Sequence, residues 1–147
     1  MHFTAGGAVW MRAGMPYTRR AGVRLHYEDA GSGPAVLLHT GGGGDGRMWE
    51  LAGYTAALAG YRTLVLDHRG HGGSDRPPGV PAHRLGEYVD DVIAVLDAAG
   101  VDTSALVGYS AGARVAYAAA RRLPPPGQRG GRHRRRGRTR RGPQRFG

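Results

Sequence analysis

The sequence predicts an α/β fold built on a parallel sheet. Short, continuously apolar runs have the length of strands buried on both faces, and stretches with helical spacing separate them. These runs cover residues 35–38, 63–66 and 105–108. Strands that alternate with helices pair in parallel through right-handed crossovers. We expect this domain to occupy residues 17–123, between an N-terminal extension (1–16) and a C-terminal tail (124–147).

The N-terminal part predicts a β-hairpin, one buried strand and one helix. Residues 17–20 and 23–27 flank Ala21-Gly22, and the glycines and proline at 31–34 end the hairpin. The apolar run at 35–38 leads into His39-Thr40 and a loop of four glycines. A helix is then predicted over 47–58, with Gly60 as its stop. The side chains assigned to its buried face are Met48, Leu51, Ala52, Thr55 and Leu58.

The second half of the domain predicts two helices on either side of a strand. A glycine- and proline-rich loop follows Asp67 and runs to residue 79. An amphipathic helix over 87–99 is indicated by Val89, Val92, Ile93 and Leu96, with the acids Glu87, Asp90, Asp91 and Asp97 on its other faces. The strand at 105–108 comes next. The last helix runs from about residue 111 to 123, where three prolines end it.

Charge separates the domain from its tail. All 21 basic residues are arginine; residues 1–123 carry a net charge of +1, and residues 124–147 carry +9 with no acid. Such a segment buries too little apolar surface to offset its conformational entropy, so we expect disorder. The favoured origin is a frameshift or truncation product, because shifted GC-rich codons yield Arg, Gly and Pro. A functional basic arm and an inert tail are the alternatives.

Composition also bounds the partners. Nucleic acid could bind the tail non-specifically through phosphates, but no Tyr or Trp is interleaved there for base stacking, so we do not expect this partner. The absence of cysteine excludes disulfides and thiolate metal sites. We find no signal peptide and no apolar run long enough for a bilayer, and expect a cytoplasmic protein with no membrane partner. Met1, Met11 and Met15 all remain possible starts.

A serine lies where a strand is expected to meet a helix. The segment Gly108-Tyr109-Ser110-Ala111-Gly112 directly follows the apolar run and directly precedes an Ala-rich helical stretch. A serine hydroxyl is a useful nucleophile only when it stands clear of the surface, and a strained strand-to-helix turn presents it in that way. Glycines on both sides allow the surrounding backbones to pack closely.

Three motifs in order give the domain a family resemblance. They are His39-Thr40-Gly41 at a strand end, the loop Asp67-His68-Arg69-Gly70-His71-Gly72-Gly73-Ser74-Asp75, and the serine segment 108–112. Together they resemble the oxyanion loop, the Asp-x-Arg-Gly-x-Gly-x-Ser loop and the nucleophile elbow of the α/β-hydrolase superfamily, over its N-terminal half. Thr40 stands where that family usually has glycine.

The resemblance implies a hydrolase with a serine nucleophile. Ser110 would attack a carbonyl carbon, and the backbone N–H groups of Ala111 and of Gly41 or Gly42 would hold the oxyanion. The substrate would be a small-molecule ester, amide or related bond, with no cofactor. The same fold serves many chemistries, so the reaction is not fixed by the resemblance.

The remaining triad residues of the family do not follow Ser110 in this sequence. The family order is Ser, then an acid, then His, whereas residues 113–147 contain no Asp or Glu and a single histidine, His133. We therefore expect this chain to be inactive as it stands. The alternative is a non-enzymatic remnant that binds only through its basic tail. His39 is a conceivable substitute base, but a structural histidine is favoured.

Two further expectations concern the central loops and the sheet edge. Asp67, His68 and His71 could be metal ligands, yet we favour solvated loop side chains and no metal site.

In the family, later strands flank the strand that leads to Ser110. Here that strand would be an exposed edge, which invites self-association.

Overall fold

The computed structural model describes residues 16–124 and confirms the predicted α/β fold. Its strands are β1 Tyr17–Arg20, β2 Val23–Ala30, β3 Ala35–His39, β4 Arg62–Leu66 and β5 Ser104–Gly108. Its helices are α1 Arg47–Leu51, α2 Tyr54–Ala57, α3 Leu85–Ala98 and α4 Ala111–Arg122, with a 3-10 turn at Val80–His83. In this range no helix combines the length and apolarity needed to cross a membrane. The predictions for the N-terminal extension and the basic tail lie outside the described residues.

The five strands form one mixed sheet in the order β1-β2-β4-β3-β5. β3 pairs in parallel with β4 on one side and with β5 on the other, as the apolar runs predicted. The hairpin was also predicted, but its second pairing was not. β2 continues to Ala30 and pairs antiparallel with β4, with Tyr27 opposite Leu66. The hairpin therefore extends the parallel sheet, because the alternating buried residues of β2 face the same core.

The sheet separates two apolar layers. Side chains of β2, β3 and β4 pack on one face against α3 and α4, and the largest cluster includes Leu25, Leu37, Leu64, Val92 and Val115. The opposite face holds a smaller cluster of Val36, Leu38, Val65 and Trp49. Successive residues of β3 thus enter opposite layers, which explains its continuous apolar run.

The single helix predicted over 47–58 is wrong. The chain forms two short helices there, and Gly53 between them has a φ of 81°. A left-handed glycine of this kind ends a helix, so the apolar spacing does not continue on one face. Trp49, which is only 3% exposed, anchors the segment to the smaller core cluster, whereas Leu51 is 88% exposed.

β5 is not buried on both faces as its apolar run predicted. It lies at the edge of the sheet, Ala105 is exposed, and Leu106 and Val107 are half-buried. Among residues 16–124 it has a strand neighbour on one side only. A groove of about 630 Å³ runs beside it, and side chains of β5 and α4 line this groove. The edge position itself agrees with the expectation from the family strand order.

The expected solvent position of Asp91 is also wrong. Its helix has nearly the predicted bounds, but Asp91 is fully buried and pairs with Arg69 and Arg20. A carboxylate is stable in such a position when ion pairs and hydrogen bonds replace its water. The helix therefore does more than pack against the core, since it also holds the loop that follows β4.

Candidate active site

Ser110 occupies a strained turn between β5 and α4. Its φ of 54° and ψ of −119° lie outside the conformations that a non-glycine residue ordinarily adopts. The turn is closed by the Gly112 N–H, which donates to the Tyr109 carbonyl over 2.9 Å. Ser110 is exposed, at the carboxyl end of the parallel strands, where open α/β sheets bind their ligands.

Two glycines allow the close packing around this turn. A Cβ on Gly108 would overlap the carbonyl of Gly112, at a separation that real Cβ atoms essentially never show. A Cβ on Gly112 would overlap the carbonyl oxygens of His39 and Thr40 in the same way. The first turn of α4 therefore rests directly on the end of β3.

The glycine loop after β3 reaches the serine. A Cβ on Gly41 would lie 2.9 Å from the Tyr109 carbonyl oxygen and 3.0 Å from the Ser110 Cβ. Gly41 is buried against Ser110 for this reason, whereas Gly42 is exposed and has open space around it. Ala111, the first residue of α4, is exposed too. The structure thus brings Gly41 and Ser110 into direct contact.

Thr40 connects the glycine loop to the loop after β4. Its side chain is fully buried, and its hydroxyl lies 3.0 Å from Nδ1 of His68. Its carbonyl accepts a hydrogen bond from Nδ1 of His39 over 2.8 Å. A glycine at this position would lack the hydroxyl contact. The threonine therefore gives the loop a side-chain anchor that the family's usual residue cannot supply.

His39 is packed beneath the site. Its ring stacks on His68 at 5.2 Å between centroids and meets Tyr88 of α3 edge-on at 6.5 Å. Burial lowers the pKa of His39, and the hydrogen bond to Thr40 opposes that shift only in part. A neutral, enclosed imidazole with its Nδ1 hydrogen-bonded locally fits the structural role favoured from the sequence.

Three residues considered as metal ligands make other contacts. Burial, with neighbouring His39 and His71, lowers the pKa of His68 to about 3, so its ring stays neutral. His68 and His71 lie 3.9 Å apart between ring centroids. Within residues 16–124, no three side chains of the ligating types are grouped to hold a metal ion. His68 is buried rather than solvated, which differs from the expectation for a loop side chain.

Asp67 has a structural role that its position in the sequence did not reveal. Its carboxylate accepts hydrogen bonds from the backbone N–H groups of Gly46 at 2.7 Å and Gly73 at 2.9 Å. Nδ1 of His26, on β2, lies 2.8 Å from the same carboxylate. One side chain therefore joins the hairpin, the start of α1 and the loop after β4. A lone acid directly after a buried strand was the available signal.

The fold and the serine turn together place this chain in the class of α/β proteins that have a candidate site at the carboxyl ends of parallel strands. The chain belongs to the α/β-hydrolase fold family, whose sequence model, described as alpha/beta hydrolase fold, matches residues 34–126. This confirms the resemblance inferred from the three motifs.

Individual relatives cover the same part of the chain. Epoxide hydrolase 2 of Siraitia grosvenorii is 34% identical over 96 residues, which are 65% of this chain and 30% of that protein. A putative carbamate hydrolase of Azorhizobium caulinodans is 35% identical over 98 residues, or 67% of this chain and 36% of that protein. The solved epoxide hydrolase from an endophytic Streptomyces superposes with a TM-score of 0.67 at 34% identity, covering 75% of this chain and 33% of that one. The chain thus spans about a third of the length of these relatives.

Proposed function

We propose that the chain carries the nucleophile half of a serine-type hydrolase site. Ser110 attacks the carbonyl carbon of a small-molecule ester, amide or carbamate and forms an acyl-enzyme. The observation that carries this proposal is the strained, exposed Ser110 turn in contact with Gly41. Strain of this kind persists only where the surrounding structure enforces it, and it clusters at functional sites.

The oxyanion would be held by backbone N–H groups. We assign this role to Ala111, which follows the nucleophile, and to Gly41 or Gly42 in the glycine loop. A donor aimed at the developing charge contributes about 3–4 kcal/mol to transition-state stabilisation. The contact between Gly41 and Ser110 supports the assignment, because it brings the backbone of the glycine loop close to the serine.

The chemistry of an alcohol nucleophile favours a carbonyl substrate over an epoxide. Attack by the Ser110 oxygen on an epoxide would form a C–O bond, open the ring and leave an ether, which water does not readily cleave. Attack on a carbonyl gives a tetrahedral intermediate instead. This expels the alcohol or amine of the substrate, which takes up the serine proton, and leaves an acyl ester that water can hydrolyse to regenerate Ser110. A substrate of the carbamate or ester class therefore permits turnover. The route requires no cofactor.

The described histidines do not supply an obvious base. Nδ1 of His39 is hydrogen-bonded to Thr40 and burial lowers the pKa of this residue. The resemblance assigns base and acid to positions after Ser110, where the sequence has no acid and only His133. We therefore propose that this chain alone reaches only the residual catalysis of binding and oxyanion contacts, about 10³–10⁴-fold over water.

The test is covalent labelling followed by intact-mass measurement. A fluorophosphonate should modify the wild type once and leave Ser110→Ala unmodified. Ser104→Ala is the matched control, since Ser104 lies on the same strand but hydrogen-bonds to the Ala35 carbonyl, and it should label like the wild type. Equal labelling of the wild type and Ser110→Ala would refute the nucleophile.

Substrate class is tested with the same mass readout. An aryl acetate should give an adduct that hydroxylamine removes. An aryl epoxide should give either no adduct or one that resists hydroxylamine. Release of a diol from the epoxide, dependent on Ser110, would overturn the preference for carbonyl substrates.

A further inference from the structure

The side chain of His71 contacts the glycine loop (residues 41–44) through one hydrogen bond. The backbone N–H of Gly43 donates to Nε2 of His71 over 3.0 Å. Gly43 has a φ of 83°, so its backbone needs the freedom of glycine to present the N–H in this direction. The loop after β4 thereby contacts the loop after β3 through a side chain, in addition to the Thr40 contact.

This hydrogen bond fixes the protonation state of the ring. Nε2 accepts the Gly43 N–H only if it carries a lone pair, so the proton of the neutral imidazole must be on Nδ1. Nδ1 lies 3.4 Å from the Arg69 carbonyl oxygen, which can accept that proton's hydrogen bond. A charged ring would instead direct an N–H at the N–H of Gly43.

We propose that His71 is a positioning residue for the oxyanion loop and that it holds the loop only as the neutral Nδ1–H tautomer. Gly43 lies two residues from Gly41, which contacts Ser110. Protonation of His71 removes the acceptor, releases Gly43 and frees the backbone segment that sets Gly41 against the serine. This inference rests on the proposed function, in which that segment stabilises the oxyanion.

The groups around His71 do not prevent this switch. The neutral ring of His68 lies tilted against the ring of His71, and the ring of His39 stacks on that of His68. Just before α1, the carboxylate of Asp45 interacts with the ring and is paired with Arg47. On the β4 side the nearest charges are those of Asp67, held by three hydrogen bonds, and Arg69, held by Asp91.

Nitrogen-15 NMR of the intact chain tests the contact without requiring activity. At pH 8 we expect the shifts of the Nδ1–H tautomer for His71 and a coupling across the hydrogen bond between its Nε2 and the Gly43 nitrogen. Both should vanish when acid protonates the ring, because Nε2 then carries a proton and can no longer accept. The Nε2–H tautomer, or no coupling at pH 8, would overturn the proposal even if Ser110 proves reactive.

The functional arm is the rate of fluorophosphonate labelling of Ser110 against pH. His71→Phe lacks an acceptor and should label about tenfold more slowly than the wild type at pH 8. His71→Gln offers an amide oxygen that does not titrate, so it should restore most of the rate and make the rate less dependent on pH than in the wild type. His83→Gln is the control, since His83 contacts Tyr88 and the Pro77 carbonyl instead. Identical pH profiles in all four proteins would refute the positioning role. If no protein labels while the NMR contact is present, the proposed function fails and the contact stands.

Discussion

Arg69 and Asp91 form a buried, two-pronged ion pair between the loop after β4 and helix α3. Nε and Nη2 of Arg69 lie 2.7 Å and 2.8 Å from the two carboxylate oxygens, and both side chains are almost inaccessible to solvent. Nη1 donates to the Ala82 carbonyl at 2.7 Å. The planar guanidinium matches the carboxylate geometry, so the loop is fixed in position and orientation.

Removing the charge of Asp91 should therefore destabilise the fold strongly. Asp91→Asn leaves Arg69 and Arg20 without their shared carboxylate, and the free energy of unfolding should fall by about 3–5 kcal/mol. Asp90→Asn, one residue away, removes a half-exposed acid that pairs with Arg122 and should cost at most about 1 kcal/mol. Urea unfolding measures both. Equal losses would show that burial of the pair is unimportant.

The two helical glycines Gly112 and Gly86 should respond in opposite directions to alanine. Gly112→Ala places a Cβ against the carbonyls of His39 and Thr40, so α4 must move and stability should fall by about 1–3 kcal/mol. Gly86→Ala meets no atom and should raise stability by about 0.5–1 kcal/mol through helix propensity. Thermal unfolding distinguishes them. Increased stability of Gly112→Ala would contradict the close packing of α4 against the end of β3.

Stability should decline in acid because of the buried histidines. The pKa of His68 is about 3 in the fold, while an unfolded histidine has a pKa of about 6.5. As pH falls below about 6.5, the unfolded chain takes up a proton that the folded chain refuses, so stability is lost progressively down to about pH 3. Above pH 6.5 both forms are neutral and the contribution is constant. The slope from His68 is at most about 1.4 kcal/mol per pH unit, and burial of His39 acts in the same direction.

Urea midpoints between pH 7.5 and pH 5 measure this dependence. His68→Gln removes one titrating group and should make the midpoint less sensitive to pH than in the wild type. His83→Gln changes an exposed histidine and should keep the wild-type sensitivity. An unchanged slope in His68→Gln would contradict the assignment.

The open side of β5 should promote self-association. Leu106, with Ala113, Ala116 and Tyr117 of α4, lines an apolar groove beside a strand that has free backbone groups on one side within the described range. Such an edge can pair with a second copy of the chain. We expect the apparent mass in sedimentation velocity to increase with protein concentration.

A charge on that edge should suppress the association. Ala105→Lys adds a cation at an exposed position of β5. Ala59→Lys adds the same charge at an exposed position outside β5 and outside the groove lining. Only the first variant should shift the protein toward monomer. A monodisperse wild type, or an equal effect of both variants, would rule out pairing through β5.

Strand positions were predictable because burial on both faces leaves a continuous apolar run. β3 and β4 are each one residue longer than predicted. The strained turn at Ser110 followed from its position between a strand and a helix. The apolar run of β5 did not reveal that its two faces are only partly covered, because that depends on which elements pack against the strand. The edge position required the family strand order.

The charged side chains were the least predictable part. An acid within a helix ordinarily indicates a solvent-exposed face. The sequence therefore gave no sign that Asp91 is buried and paired with Arg69, 22 residues earlier. The same limitation hid the three hydrogen bonds of Asp67. The helical spacing of the apolar residues over 47–58 continues across Gly53, and it does not reveal that the left-handed conformation of this glycine ends the helix.

The Ser110 turn holds a costly backbone conformation at the end of a strand that, within residues 16–124, pairs along one side. If β5 separates from β3, the turn can relax into an ordinary helix start, and the hydroxyl is no longer oriented for attack. The rate of acylation of Ser110 would then depend on how stably β5 pairs with β3. A molecule that binds along the open edge of β5 would then accelerate the acylation without touching the reacting atoms.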